Sequence, residues 1–105
     1  MYPKLVRDRI PDIITSDDKT VVYRKLIDDN EYIEQLNNKL LEEVNEYIEA
    51  RDKNNIKEEL ADILEVVYSI GKQYSISEEE LSNYRKYKSN IKGSFSKRIY
   101  IEEVK

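Results

Sequence analysis

The chain has 105 residues, 38% of them charged, and its formal net charge at pH 7 is −4. This length fits a single domain, residues 1–105, and the acidic balance argues against general affinity for nucleic acid or anionic membranes. The sequence contains no cysteine and no histidine, which excludes disulfides, thiolate or imidazole metal sites and catalytic triads that use histidine. Because no apolar run is long enough to cross a membrane and the first residues do not resemble a signal peptide, we expect a cytoplasmic protein.

The first thirty residues predict only short elements. Three cations alternate with apolar residues here: Lys4, Arg7 and Arg9. They either bind phosphate or are merely solvated, and composition alone favours solvation. Pro11 suits the first turn of a short helix over residues 11–15, since its missing N–H would be unpaired there anyway. Residues 21–26 are rich in β-prone side chains and predict a short strand.

Three longer helices are predicted from their N-terminal caps, each a polar side chain followed three residues later by glutamate. The pairs are Asp28 with Glu31, Asn55 with Glu58, and Ser77 with Glu80. They predict helices over residues 29–51, 56–73 and 77–89. Gly93 marks a break, and residues 94–101 alternate enough to suggest a strand or an extended tail, paired in one interpretation with residues 21–26. The predicted fold class is all-α, with short extended segments near the N-terminus and in the C-terminal tail.

Acidic side chains on the first two long helices are placed beside apolar side chains. A helix advances about 100° per residue. Glu43 therefore falls on the shoulder of the first apolar arc, with Glu46 roughly 60° further round. On the second helix, Glu59 falls between Val66 and Ile70 at the side of the apolar arc, and Asp62 lies at the margin. Crowded, partly buried carboxylates are costly unless a positive charge neutralises them, and a hard divalent cation such as Mg²⁺ or Mn²⁺ takes oxygen ligands.

A simpler interpretation is a solvated acidic helix face with lysine partners. It explains the glutamates that point away from the apolar arcs, namely Glu42, Glu49, Glu58 and Glu65. It does not explain Glu43 and Glu59, since their positions drive charge toward the core.

The acidic spacing resembles that of a known superfamily. An E-E-x-x-E motif begins at Glu42, and an E-x-x-D motif begins at Glu59 after twelve intervening residues. This resembles the signature of the all-α nucleotide pyrophosphohydrolases, which include MazG, dimeric dUTPases and phosphoribosyl-ATP pyrophosphohydrolase. Residues 2–11 and 92–99 resemble the two ends of a phosphoribosyl-ATP-pyrophosphohydrolase-like branch, although Ser94 stands where that branch often has a second glycine.

The resemblance implies a set of site residues. Glu43, Glu46, Glu59 and Asp62 would bind Mg²⁺, or Mn²⁺ in its place. Glu42 would orient the attacking water or support the metal ligands, and Glu42 and Glu43 are the predicted catalytic pair. The predicted phosphate-binding cations are Lys4, Arg7, Arg9, Lys88, Lys92, Lys97 and Arg98.

The reaction implied is hydrolysis of a nucleoside triphosphate between the α- and β-phosphates, giving a monophosphate and pyrophosphate in a house-cleaning role. A water molecule held by a carboxylate would attack in line without a covalent intermediate. Three alternatives stay open: a pyrophosphohydrolase for phosphoribosyl-ATP or another specialised nucleotide, a non-catalytic nucleotide-binding module, and a structural helical adaptor.

The predicted architecture is a helical bundle completed by oligomerisation. A lone hairpin would expose Leu36, Leu40, Leu60 and Leu64, and a second copy would bury them. We therefore expect a homodimer or homotetramer whose substrate is a nucleotide.

Overall fold

The computed structural model describes residues 2–105 and contains four helices. They are α1 (Ile10–Ser16), α2 (Asp29–Glu49), α3 (Lys53–Gln73) and α4 (Glu78–Lys92). The predicted all-α class is confirmed. Within residues 2–105 no helix combines the length and apolar character that spanning a bilayer requires.

The strand prediction for residues 21–26 is wrong. This segment and residues 94–101 are irregular, and no β-ladder forms anywhere in the described chain. Val22 is 96% exposed and Phe95 is 97% exposed, and only Val21 and Leu26 of residues 21–26 are half-buried. A β-prone segment without a partner strand gains no ladder hydrogen bonds, which is why local propensity is insufficient here.

Two of the three predicted caps form. The side chain of Asp28 accepts a hydrogen bond from the Glu31 backbone N–H at the start of α2, and Ser77 does the same for the Glu80 N–H at the start of α4. Helix α2 ends at Glu49, two residues before its predicted end, and α4 continues to Lys92, three residues past its own. Such shifts at frayed helix ends are small compared with the helices themselves.

The predicted cap of α3 is wrong. The helix begins at Lys53, and the side chain of Asp52 accepts the hydrogen bond from the Asn55 backbone N–H. Asn55 instead lies in the first turn, where its side-chain amide donates to the Asp52 carboxylate at 2.9 Å. Asp52 takes the capping position because an aspartate with an extended backbone caps a helix as well as an asparagine does, and capping the helix at Asp52 adds one turn to it.

Helices α2 and α3 form a hairpin, and α4 packs against α3. The seam between α2 and α3 buries Leu36 and Val66, together with Glu43, which is only 5% exposed. Leu40, predicted to be exposed in a lone hairpin, is half-buried, and the same prediction for Leu36 is wrong.

Helices α2 and α3 do not contact each other through the centres of their predicted apolar arcs. They meet along one side of each arc, the side that carries Glu43 on α2 and Glu59 on α3. The opposite side of each arc is therefore not covered by the neighbouring helix. The uncovered apolar residues are Leu41, Ile48, Leu60 and Leu64, each between 46% and 64% exposed. We call these four side chains the apolar stripe.

The chain is extended for its size. Its radius of gyration is 17.7 Å, and its principal extents are 60 × 35 × 26 Å. A compact domain of this length would have a radius of gyration of about 13 Å. The hairpin is thus the packed part of the molecule, and it holds the acidic motif.

Candidate metal centre

Three carboxylates from α2 and α3 converge across the seam. Glu43 and Glu46 lie one turn apart on α2, and Glu59 faces them from α3. One carboxylate oxygen of each lies within 4.8 Å of those of the other two. Three of the four predicted metal ligands therefore meet at one point, which we call the glutamate cluster.

Two oxygens in this cluster are buried and have no hydrogen-bond partner: Oε2 of Glu43 and Oε2 of Glu59. A buried carboxylate oxygen without a donor carries a large desolvation cost, so such atoms are rare in folded proteins. A divalent cation held here would take electron pairs from both oxygens and so compensate their burial. The donor set contains oxygen only, which fits Mg²⁺ or Mn²⁺.

The electrostatics of the cluster also indicate missing positive charge. The pKa of the Glu59 carboxyl is raised to about 7, first by burial and then by the hydrogen bonds and charges of the adjacent Glu43 and Glu46 carboxyls. Burial likewise raises the pKa of Glu43, and the charges of Glu46 and Asp62 add to this while Lys39 partly offsets it. In this environment Glu43 and Glu59 resist ionisation, and a bound cation would favour their charged forms.

The fourth predicted ligand, Asp62, has a cation from its own chain. The Arg7 guanidinium donates from Nη2 to Asp62 Oδ1 at 2.6 Å. Asp62 lies outside the converging set of three, although it is close enough for its charge to raise the pKa of Glu43.

Glu42 lies beside the cluster and bonds two lysines. Lys4 Nζ donates to Glu42 Oε1 at 2.9 Å, and Lys39 Nζ donates to Oε2 at 3.1 Å. Burial by itself would raise the pKa of Glu42, but the hydrogen bonds from the two lysines outweigh it and leave the pKa lowered. Glu42 is therefore a fixed, ionised carboxylate at the edge of the site.

Lys39 is a site residue that sequence reasoning missed. Besides its bond to Glu42, its Nζ lies 3.4 Å from Glu43 Oε1, and its side chain is only 17% exposed. Its positions three and four residues before the two glutamates are the helical spacings at which side chains meet. That spacing was visible in the sequence and could have identified it.

The seven predicted phosphate-binding cations divide into two groups. Lys4 and Arg7 reach the acidic site through the bonds described above. The other five are exposed and make no ion pair with the site's carboxylates within residues 2–105: Arg9, Lys88, Lys92, Lys97 and Arg98.

A family model described as the MazG nucleotide pyrophosphohydrolase domain matches residues 31–90. The match covers α2 from Glu31, all of α3 and most of α4, and so includes the glutamate cluster, Asp62 and Lys39. Lys4 and Arg7 precede it. No curated protein and no solved structure matches the chain.

Proposed function

The chain belongs to the MazG nucleotide pyrophosphohydrolase domain family and is therefore a hydrolase of phosphoric anhydrides, and we propose that it cleaves nucleoside triphosphates between the α- and β-phosphates. The products would be a nucleoside monophosphate and pyrophosphate. The observation that carries this proposal is the pair of buried, unpartnered oxygens on Glu43 and Glu59. They support a cation site at the point where triphosphate charge must be neutralised.

Members of the family depend on a divalent metal, and here we propose Mg²⁺, with Mn²⁺ as a substitute. Glu43, Glu46 and Glu59 would hold it, and Asp62 would complete the set. When bound, the metal supplies positive charge against the phosphate oxygens. Because the carboxylates stand on two packed helices, they keep their spacing without a loop having to close.

The chain's own residues would position the remaining reactants. Glu42 stays ionised between Lys4 and Lys39, so it can accept a hydrogen bond from the attacking water and orient it for in-line attack. Glu43 would share this role on the side facing the metal. Phosphoryl transfer depends mostly on such positioning and on charge stabilisation, which suits a site without histidine or cysteine.

Phosphate binding would come first from the cations nearest the site. Lys4 and Arg7 are already there, and a guanidinium offers the planar, two-pronged geometry that matches a phosphate. Arg9, Lys88, Lys92, Lys97 and Arg98 complete the proposed set. The biological role we propose is removal of non-standard or surplus nucleotides.

We propose that the active form is a homodimer or a homotetramer. Leu36 and Val66 are the hydrophobic side chains buried within residues 2–105, a core too small for a stable domain of this length. A second copy covering the apolar stripe would supply the missing burial, at about 25 cal/mol for each Å² of apolar surface removed from water.

The test of the reaction is pyrophosphate release from a panel of canonical and modified nucleoside triphosphates, with Mg²⁺ and with EDTA. Wild type is compared with Glu59→Gln, which removes a cluster carboxylate, and with Glu58→Gln, which removes an exposed neighbour. We expect metal-dependent release that Glu59→Gln abolishes and Glu58→Gln retains, with a monophosphate as the second product.

The same panel separates the alternatives. Release from phosphoribosyl-ATP alone would identify a specialised pyrophosphohydrolase. Metal-dependent nucleotide binding without any release of pyrophosphate would identify a binding module. The absence of both nucleotide binding and pyrophosphate release would contradict the proposed function.

A further inference from the structure

The N-terminal segment is fastened to both long helices beside the glutamate cluster. Lys4 bonds Glu42 on α2, 38 residues away in sequence, and Arg7 bonds Asp62 on α3, 55 residues away. Leu5 and Val6 between them are half-buried. Residues 4–7, which we call the N-terminal strap, therefore cross the hairpin and bring two cations to the edge of the site.

The two bonds of the strap have different surroundings. The Lys4 ammonium and the Glu42 side chain are 26% and 28% exposed, and Lys39 shares the same carboxylate. The Arg7 guanidinium is 54% exposed and bonds Asp62 through one oxygen only. The Arg7–Asp62 ion pair is thus easier to break than the Lys4–Glu42 pair. An exposed ion pair changes the equilibrium constant for its own formation by a factor of about five at most.

The Asp62 carboxylate can be neutralised either by the Arg7 guanidinium or by a metal ion at the glutamate cluster. It lies three residues after Glu59 on α3, so both carboxylates occupy the same side of the helix, and its charge acts on Glu43 across the seam. A divalent ion held by the three glutamates would cancel two of their negative charges, so the Asp62 carboxylate could approach the ion with much less repulsion from them. While Arg7 holds it, Asp62 lies outside the converging set of three glutamates, so its carboxylate must leave the present contact with Arg7 to reach an ion bound there.

We propose that Arg7 and the metal compete for Asp62, so that metal binding transfers this carboxylate to the metal and frees the Arg7 guanidinium to face the triphosphate. This rests on the proposed function and adds an order of events to it. Binding of the metal would then also make the Arg7 guanidinium available to bind phosphate. By linkage, anything that draws Arg7 away from Asp62, a polyphosphate included, tightens metal binding.

The first test measures Mn²⁺ affinity of the full chain by electron paramagnetic resonance of the free ion. Arg7→Gln removes the competitor, and Arg9→Gln removes an exposed charge two residues away that is not bonded to the site. We expect Arg7→Gln to bind Mn²⁺ two- to fivefold more tightly than wild type. Arg9→Gln should change affinity clearly less, because it alters only the general field.

The second test follows the guanidinium itself, in wild-type protein with diamagnetic Mg²⁺. Nitrogen-15 NMR of arginine side chains reports hindered rotation of a guanidinium fixed in an ion pair, and the Arg7 signal is the one absent from Arg7→Gln. We expect restricted Arg7 resonances in EDTA that average on Mg²⁺ addition and become restricted again when pyrophosphate is added.

Each outcome decides the proposal. The proposed competition would be overturned if Arg7→Gln bound Mn²⁺ no more tightly than wild type, or if Arg9→Gln increased the affinity as much as Arg7→Gln. It would also be overturned if the Arg7 resonances did not change on addition of Mg²⁺. Metal-dependent pyrophosphate release together with any of these results would leave the proposed function standing. Absence of metal binding by wild type would overturn both.

Discussion

Replacing Glu59 by glutamine should stabilise the protein in the absence of metal, although it removes a residue of the proposed active site. The raised pKa of Glu59 means that the folded state holds this proton more tightly than the unfolded chain does. The stability that the proton confers is fully present below the ordinary pKa of 4.5 and is lost as the pH rises through about 7. Glutamine cannot ionise, so the variant escapes that loss.

The size of the effect follows from the two pKa values. A rise from 4.5 to about 7 corresponds to a ceiling of about 3 kcal/mol at pH 8. The Glu59 side chain is only half-buried, and solvent screening reduces the expected gain to about 1–2 kcal/mol. At pH 4 the carboxyl is protonated in both states, so the two proteins should differ little. Saturating Mg²⁺ should reverse the order at pH 8, because the wild type gains binding free energy that the variant lacks.

The assay is urea unfolding followed by circular dichroism, at pH 4 and pH 8, with EDTA or with Mg²⁺, and at one fixed protein concentration. Glu58→Gln is the matched control, since it removes the same charge from an exposed position one residue earlier. The reasoning is refuted if Glu59→Gln is less stable than wild type at pH 8 in EDTA, or if Glu58→Gln gains as much.

Three further changes test other parts of the structure. Lys39→Met removes the cation beside Glu43, and we expect it to lower the free energy of unfolding at pH 8 by about 1–2 kcal/mol in urea titrations; an unchanged value would show that the lysine does not compensate the cluster. Asp52→Ala removes the cap of α3 and should cost about 1 kcal/mol in the same experiment, whereas no loss would indicate that another group caps the helix. Leu64→Glu places a charge on the apolar stripe and should lower the molar mass measured by light scattering to that of one chain, while Glu65→Gln should leave the assembly intact. A mass of one chain for the wild type would contradict the proposed oligomer.

Local signals predicted the helices well because caps and apolar periodicity act within a few residues. Asp28 and Ser77 form the bonds that their sequence signatures predict. At α3 two adjacent candidates, Asp52 and Asn55, could both cap, and the sequence signature selected the wrong one. The choice depends on which backbone is extended, and that is fixed by the short connection from α2 rather than by the motif.

The site could be predicted only where a single helix determines the geometry. The placement of Glu43 toward the apolar side follows from helical spacing, and the structure buries that residue. The bonds of Lys4 and Arg7 join residues 38 and 55 positions apart, and no local pattern encodes such pairs. The same limit explains why the seam could not be located within each apolar arc, since a helical wheel shows how wide an apolar face is but not which half the neighbouring helix covers.

The position of the seam links the acidic site to the proposed assembly. Packing α2 and α3 along the shoulders that carry Glu43 and Glu59 brings the carboxylates together, and it necessarily turns Leu41 and Leu64 outward. A seam centred on the apolar arcs would bury those leucines but would separate the glutamates and leave them in water. A chain that gathers its carboxylates inside the hairpin therefore needs another surface for its apolar side chains, and a second copy of the same hairpin offers one of matching chemistry.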